Sequence, residues 1–97
     1  MNDIKEIATT IRGIWTNRAE AGYTGDWMPL RAVRARINAY EDVTWTRKDV
    51  DAALAYLLAT HQARLAPEAN RKTLTPADHD AALWAGGQWH HHITFAK

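Results

Sequence analysis

The sequence predicts an α+β fold, in which a three-helix bundle is joined by a small two-stranded antiparallel sheet and an extra short helix between the strands. Apolar residues recur at helical spacing in three successive stretches, and a later stretch alternates as a strand does. The chain has 97 residues, of which 46% are hydrophobic and 24% charged. This size and composition predict one globular domain over residues 1–97.

The first predicted helix covers about residues 3–18. Its apolar residues fall at steps of three and four, which places them on one face that has to be buried. These residues are Ile4, Ile7, Ala8, Ile11, Ile14 and Trp15. Ala19 to Met28 contains two glycines and has no sustained period, so we predict a loop there.

The second predicted helix runs from Pro29 to about Tyr40, with Asp26 as its expected cap. Its apolar face consists of Leu30, Val33, Ile37 and Tyr40. A connector over 41–45 leads to a third helix, which begins at the capping-box sequence Thr46–Asp49. Its expected buried side consists of Val50, Ala53, Leu54, Leu57, Leu58 and His61.

The remaining chain is predicted to form two strands separated by a short helix. Arg64–Pro67 is the first strand, because the proline ends it too early for a helix. Thr75–Asp78 has the hydroxyl cap and first-turn proline of a helix start, and Gly86-Gly87 is expected to end that helix after Trp84. Gln88–Ala96 is the second strand. Its alternation places Trp89, His91, Ile93 and Phe95 on one face.

Composition excludes several classes of protein. The formal net charge is only +1, although residues 29–72 hold eight basic and five acidic side chains. The longest apolar run, Ala52–Ala59, is too short to cross a bilayer, and no hydrophobic signal core is present. We therefore expect a cytoplasmic protein without membrane contact. The absence of cysteine excludes disulfides and thiolate chemistry.

This order of elements resembles a winged helix-turn-helix domain over most of the chain. The stretches that carry the resemblance are Trp27–Arg34, Thr46–Leu54, Leu65–Lys72 and Gly86–Ile93. The last two, taken together, are similar to small helix-turn-helix proteins of actinobacteria and their phages. One feature departs from the family: a simple wing is a tight hairpin, whereas about 20 residues separate the two predicted strands here.

The resemblance implies binding of double-stranded DNA, as in a transcriptional regulator, with the third helix in the major groove. The residues implied at or near the groove are Thr46, Arg47, Lys48 and Asp51, and those implied on the phosphate backbone are Arg31 or Arg34, Arg71 and Lys72. Asp49 and Asp51 oppose tight binding, because phosphates repel them. The alternative is a protein-interaction module that binds another protein, or itself as a homodimer.

The histidine run does not predict a metal site. His90 and His92 share a face of the predicted strand, but two ligands do not complete a zinc or nickel site. No metal and no other cofactor is therefore expected. His91 lies between apolar residues of the other face, so we expect a hydrogen-bonded core histidine.

Five tryptophans are unusual for a chain of this length. The predicted apolar faces include Trp15, Trp84 and Trp89, which we expect in the core. Trp27 and Trp45 stand at helix entries, where packing against the first turn is the favoured interpretation and surface contact the alternative.

Enzymatic function is not predicted. The sequence contains no serine, no cysteine, no glycine-rich phosphate loop and no paired metal-binding histidine motif on a helix. Its adjacent acids are interpreted as solvated or helix-capping side chains. We therefore expect no catalytic residue.

Overall fold

The structure is a computed structural model that describes residues 3–95, except for the side chain of Arg71. The described residues form four α-helices and five short strands in a mixed α+β arrangement, which confirms that part of the predicted fold class. The helices are α1 (Ile4–Thr16), α2 (Leu30–Asn38), α3 (Arg47–Ala59) and α4 (Pro76–Ala81). The strands are β1 (Met28–Pro29), β2 (Ala63–Ala66), β3 (Leu83–Ala85), β4 (Gln88–His90) and β5 (His92–Phe95). Ala96, the last residue of the predicted closing strand, lies outside the described residues.

One apolar core joins α1, α2, α3 and the sheet. Its largest fully buried side chains are Ile7, Ile11, Met28, Leu30, Val33, Leu54, Leu57 and Ile93. The helical stripes in the sequence predict most of this set. Three residues that the stripes place in the core are exposed instead, namely Ile4, Tyr40 and His61. They lie at or just beyond the ends of their helices, where the neighbouring elements no longer cover them.

The entry to α2 differs from the prediction. Met28 and Pro29 are not loop and first helical turn but form β1, in which Met28 pairs with Ile93 of β5. Proline disfavours helical backbone in the residue before it, so Met28 is held extended and available for pairing. Asp26 does not cap α2. Its carbonyl accepts a hydrogen bond from the Trp15 indole at 2.8 Å, which ties the loop to α1.

The two predicted strands do pair. β2 lies antiparallel to β5, with Ala63 opposite Phe95 and Ala66 opposite His92. This sheet has three strands rather than two, in the order β1-β5-β2, because β1 adds to the other edge of β5.

The chain between α4 and β5 contains a hairpin that the sequence interpretation missed. α4 ends at Ala81 and not after Trp84, and β3 and β4 then pair as a separate two-stranded sheet. Gly86 (φ +59°) and Gly87 (φ +82°) both adopt the left-handed backbone of a two-residue type I′ turn. The glycine pair therefore reverses the chain between two strands instead of ending a helix.

The predicted closing strand is interrupted at His91, between β4 and β5. An unbroken strand would place Trp89 on the buried face with Ile93. Because the strand breaks, His90 is buried instead and Trp89 faces outward at 52% exposure. Trp84, its partner across the hairpin, is 57% exposed. The prediction that Trp84 and Trp89 belong to the core is wrong.

The other aromatic predictions have mixed outcomes. Trp15 is buried as expected, and Trp45 is half-buried against the core. Trp27 is 41% exposed and is thus less covered than Trp45, so its packing against the first turn of α2 stays a prediction. His91 is buried, and its Nδ1 accepts a hydrogen bond from the Glu68 backbone N–H at 3.0 Å, which confirms a hydrogen-bonded core histidine.

Candidate functional site

Arg34, which the resemblance implies on the DNA backbone, is mostly buried between α2, α3 and α4. Its Nη2 donates to Asp51 at 2.6 Å, and its Nε donates to the Ala81 carbonyl at 2.7 Å. Burial lowers the pKa of Arg34 from its ordinary value, although the hydrogen bond to Asp51 opposes that effect. Its donors join three helices and are directed inward.

Arg31 lies on the same helix and pairs with α4. Its Nε donates to Asp78 at 2.8 Å, and this hydrogen bond raises the pKa of Arg31. A hydrogen bond from the Thr75 backbone lowers the pKa of Asp78 to about 2, with further contributions from Arg31. Asp78 therefore caps α4 and neutralises a predicted phosphate contact at the same time.

Arg47, at the start of α3, also faces acceptors of its own chain. Its Nη2 donates to the Ala82 carbonyl at 3.1 Å. The guanidinium lies 3.7 Å from Asp51 and 3.9 Å from Asp80. Its side chain is nevertheless 47% exposed, so part of it stays accessible to a partner.

Thr46 and Lys48 flank Arg47 and differ in how far their side chains are free to contact a partner. The Thr46 hydroxyl accepts the Asp49 N–H at 3.1 Å, and the Asp49 carboxylate accepts the Thr46 N–H at 2.9 Å. This confirms the predicted capping box and engages the threonine side chain. Lys48 is exposed and forms no ion pair within residues 3–95.

Lys72 and Arg71 lie in a short 3-10 turn, Arg71–Thr73, on the loop before α4. Lys72 is exposed, and its N–H donates to Asn70 at 3.3 Å. The predicted phosphate contact of the Arg71 side chain falls outside the described residues. Lys72 does not line the cavities beside α3.

The surface around the start of α3 is therefore electrically balanced. Its basic side chains are Arg31, Arg34, Arg47 and Lys48, and its acidic side chains are Asp49, Asp51, Asp78 and Asp80. A cleft of about 300 Å³ between α2, α3 and α4 is lined by the three arginines and by Asp80. Each of those arginines already has acceptors in the same chain, so this cleft is not an open anion site.

A second depression, which we call the α3–hairpin groove, lies between the exposed face of α3 and the β3–β4 hairpin. Its volume is about 510 Å³, and it is a shallow depression that is open to solvent. The groove is lined by Arg47, Lys48, Asp51, Ala52, Ala55, Ala82, Leu83, Trp84 and Trp89. Basic residues lie at the end nearest the start of α3, and small or aromatic apolar residues line the rest.

The hairpin wall of this groove is an aromatic pair. Trp84 and Trp89 occupy directly opposite positions on β3 and β4. Their ring centroids are 5.2 Å apart with an interplanar angle of 66°, an edge-to-face contact that stabilises the hairpin. More than half of each side chain is still exposed, so the contact leaves a large apolar surface open.

A larger cleft of about 760 Å³ runs between α1 and α2. Alanines and Gly13 form much of its lining, with Tyr23 and Tyr40 among the aromatic residues. Glu6, Arg31 and Arg36 supply charges of both signs there. This mixed lining favours no particular ligand chemistry.

The histidines do not converge on one point. His90 Nε2 lies 3.0 Å from the Ala85 carbonyl, whereas His92 Nε2 lies 3.6 Å from Glu68. Within residues 3–95 no group of three histidine or carboxylate side chains is arranged to hold a metal ion.

Sequence interpretation missed the two tryptophans of the groove although a signal was present. A glycine pair between the short runs Leu83–Ala85 and Gln88–His90 is typical of a two-residue hairpin. The capping box before α4 favoured a continuous helix up to the glycines. The glycine pair was therefore interpreted as the end of that helix and not as the turn of a hairpin.

No helix in the described part of the chain is long and apolar enough to span a bilayer.

Comparison with protein-family models, with curated proteins and with solved structures gave no match to this chain.

Proposed function

We propose that this protein is a winged-helix domain that binds another protein through the α3–hairpin groove. The layout behind the family resemblance supports the fold assignment, since three helices precede the antiparallel pair of β2 and β5. A tight hairpin is the form of a simple wing, and β3–β4 is such a hairpin. In this proposal the helix and the wing form two walls of one binding site.

The observation that carries the proposal is the exposure of Trp84 and Trp89 beside the open face of α3. Tryptophan is enriched among the residues that dominate protein interfaces, because it buries a large area with few rotatable bonds. Covering apolar surface contributes about 25 cal/mol per Å². A partner segment that covers both rings gains part of this energy, because association also costs translational, rotational and side-chain freedom.

Charge supports a protein partner over a nucleic acid. Tight DNA binding relies on several basic side chains that neutralise phosphates. Arg31 and Arg34 already donate to Asp78 and Asp51, and Asp80 lies beside Arg47. A duplex at this surface would have to displace these contacts or approach the carboxylates. We propose no catalytic role for the chain.

A selection experiment tests the proposal. Random dodecapeptides displayed on phage are selected against the immobilised full chain, and enriched peptides are then titrated by fluorescence anisotropy. We expect W84A/W89A to weaken peptide binding at least about tenfold, whereas W27A, which removes an exposed tryptophan outside the groove, leaves it unchanged. Failure to enrich any peptide that depends on the two tryptophans would reject the proposed function.

Binding of double-stranded DNA is the second candidate function, and the exposure of Arg47 and Lys48 at the start of α3 favours it. Titration of a labelled random duplex at rising salt tests it directly. Each phosphate contact adds about 0.9 to the log-log salt slope. A slope of several units that is lost in R47E/K48E would make DNA the partner and would overturn the proposal.

A homodimer stays a separate prediction. Ile7, Ile11 and Ile14 of α1 are buried in the chain's own core, whereas Ile4 is exposed, so a dimer seam could use only Ile4 of the four isoleucines on this helix. Sedimentation at several concentrations tests for a second copy. A monomer at every concentration would exclude the chain itself as the partner in the groove.

A further inference from the structure

We infer that the α3–hairpin groove takes a peptide segment of a partner protein in which an apolar anchor is flanked by a carboxylate side chain. This inference rests on the proposed function and adds the chemistry of the partner. The anchor would lie between the two tryptophans and the alanines of α3, and the carboxylate would reach Lys48. Two features of the groove, its charge distribution and its apolar lining, support this assignment.

The charged side chains that line the groove differ in whether they already have partners within the chain. Asp51 accepts a hydrogen bond from Arg34 at 2.6 Å and lies 3.7 Å from Arg47, so its carboxylate is already neutralised. Arg47 in turn faces Asp80 and donates to a carbonyl. Lys48 is exposed and has no ion pair within residues 3–95. Among the residues that line the groove, Lys48 is thus the cation without an ion pair in the described chain, and a carboxylate complements it.

The apolar lining of the groove indicates that the partner segment carries an apolar anchor. Ala52 and Ala55 have short side chains, so α3 leaves room for bulky groups of a partner. Trp84 and Trp89 form the opposite wall, and more than half of the surface of each residue is exposed. An aliphatic or aromatic anchor therefore fits between helix and hairpin, while the lysine lies at the end nearest the start of α3.

A single-stranded nucleic acid would also stack on tryptophan, but the groove fits it less well. Strand binding combines stacking with a track of cations along the backbone. Here the two rings contact each other edge to face, and Lys48 is the available cation beside them. An acidic and apolar peptide satisfies both features, whereas a phosphate chain leaves most of its charges unpaired.

The peptide selection described above also tests this inference. We expect the tryptophan-dependent peptides to share an apolar residue next to aspartate or glutamate. K48E should weaken these peptides about fivefold at low salt, and the difference should shrink as salt rises. K72E makes the same charge change on an exposed lysine outside the groove and should have no effect. Replacing the peptide carboxylate with lysine should restore binding to K48E.

The results distinguish the proposed protein-binding function from the inferred chemistry of the partner. Peptides that depend on the tryptophans but show no acidic preference and no response to K48E would overturn this inference and leave the proposed function standing. Labelled oligothymidine serves as the competing probe. If it binds more tightly than any selected peptide and is lost in both W84A/W89A and K48E, the partner is a nucleic acid. Thermal unfolding of every variant shows whether the fold is retained.

Discussion

At the scale of single residues, some basic side chains hold the fold together, whereas others are available to bind a partner. Arg34 has the side chain that a phosphate contact needs, yet its donors hold Asp51 and the end of α4. Lys48 lies within reach of the same surface and has no such partner in the described chain. The presence of an arginine therefore does not by itself identify a nucleic-acid contact. The acceptors that surround its guanidinium decide its role.

Asp78 gives a prediction for the pH dependence of stability. Its folded-state pKa of about 2 lies below the ordinary 3.8, because the protonated form loses the hydrogen bonds from Thr75 and Arg31. The stabilisation is present above about pH 4 and is lost as pH falls towards 2. D78N should lower the free energy of unfolding at neutral pH by about 1–2 kcal/mol and reduce the loss of stability between pH 4 and 2.

Urea unfolding at several pH values measures this effect. D80N is the matched control, because the Asp80 carboxylate is 89% exposed and approaches Arg47 only at 3.9 Å. It should change stability little, as most exposed ion pairs do. Equal effects of the two substitutions would contradict the role assigned to Asp78.

At the scale of elements, the β3–β4 hairpin depends on its turn. Gly86 and Gly87 occupy the left-handed region, and the space around each would accept a Cβ atom without contact. The requirement for glycine is therefore one of backbone conformation and not of space. This turn places Trp84 opposite Trp89 and thereby creates one wall of the groove.

Two substitutions at Gly86 test this explanation. G86A should destabilise the protein by about 1 kcal/mol, because alanine resists a positive φ, whereas asparagine tolerates it, so G86N should cost much less. Urea unfolding measures both. A steric cause would make the larger asparagine the worse substitution, and that order would contradict the explanation.

At the scale of the whole molecule, α1 and α3 pack across one core that also receives the sheet. Leu54 is fully buried in this core, while Leu58, one turn later, is only partly buried. We expect L54A to lower the free energy of unfolding by about 3 kcal/mol, because it leaves a cavity. L58A should cost clearly less. Circular dichroism and tryptophan fluorescence should report the same L54A transition if helices and sheet unfold together.

Local sequence patterns predict the three main helices, the capping boxes at Thr46 and Thr75, and the strand character of β2 and β5. These features depend on local periodicity and on hydrogen bonds between residues three apart, which are readable along the chain. The short β1 was not readable, because two residues form a strand only when a partner such as β5 lies beside them.

The candidate site depends on contacts between residues that are distant in the sequence. Arg31 pairs with Asp78, 47 residues away, and Arg34 pairs with Asp51, so the side chains of two predicted DNA contacts join helices of the chain. The break at His91 turned Trp89 from the expected core to the surface. Exposure and charge pairing depend on which distant residues lie next to each side chain, and this information is absent from local spacing.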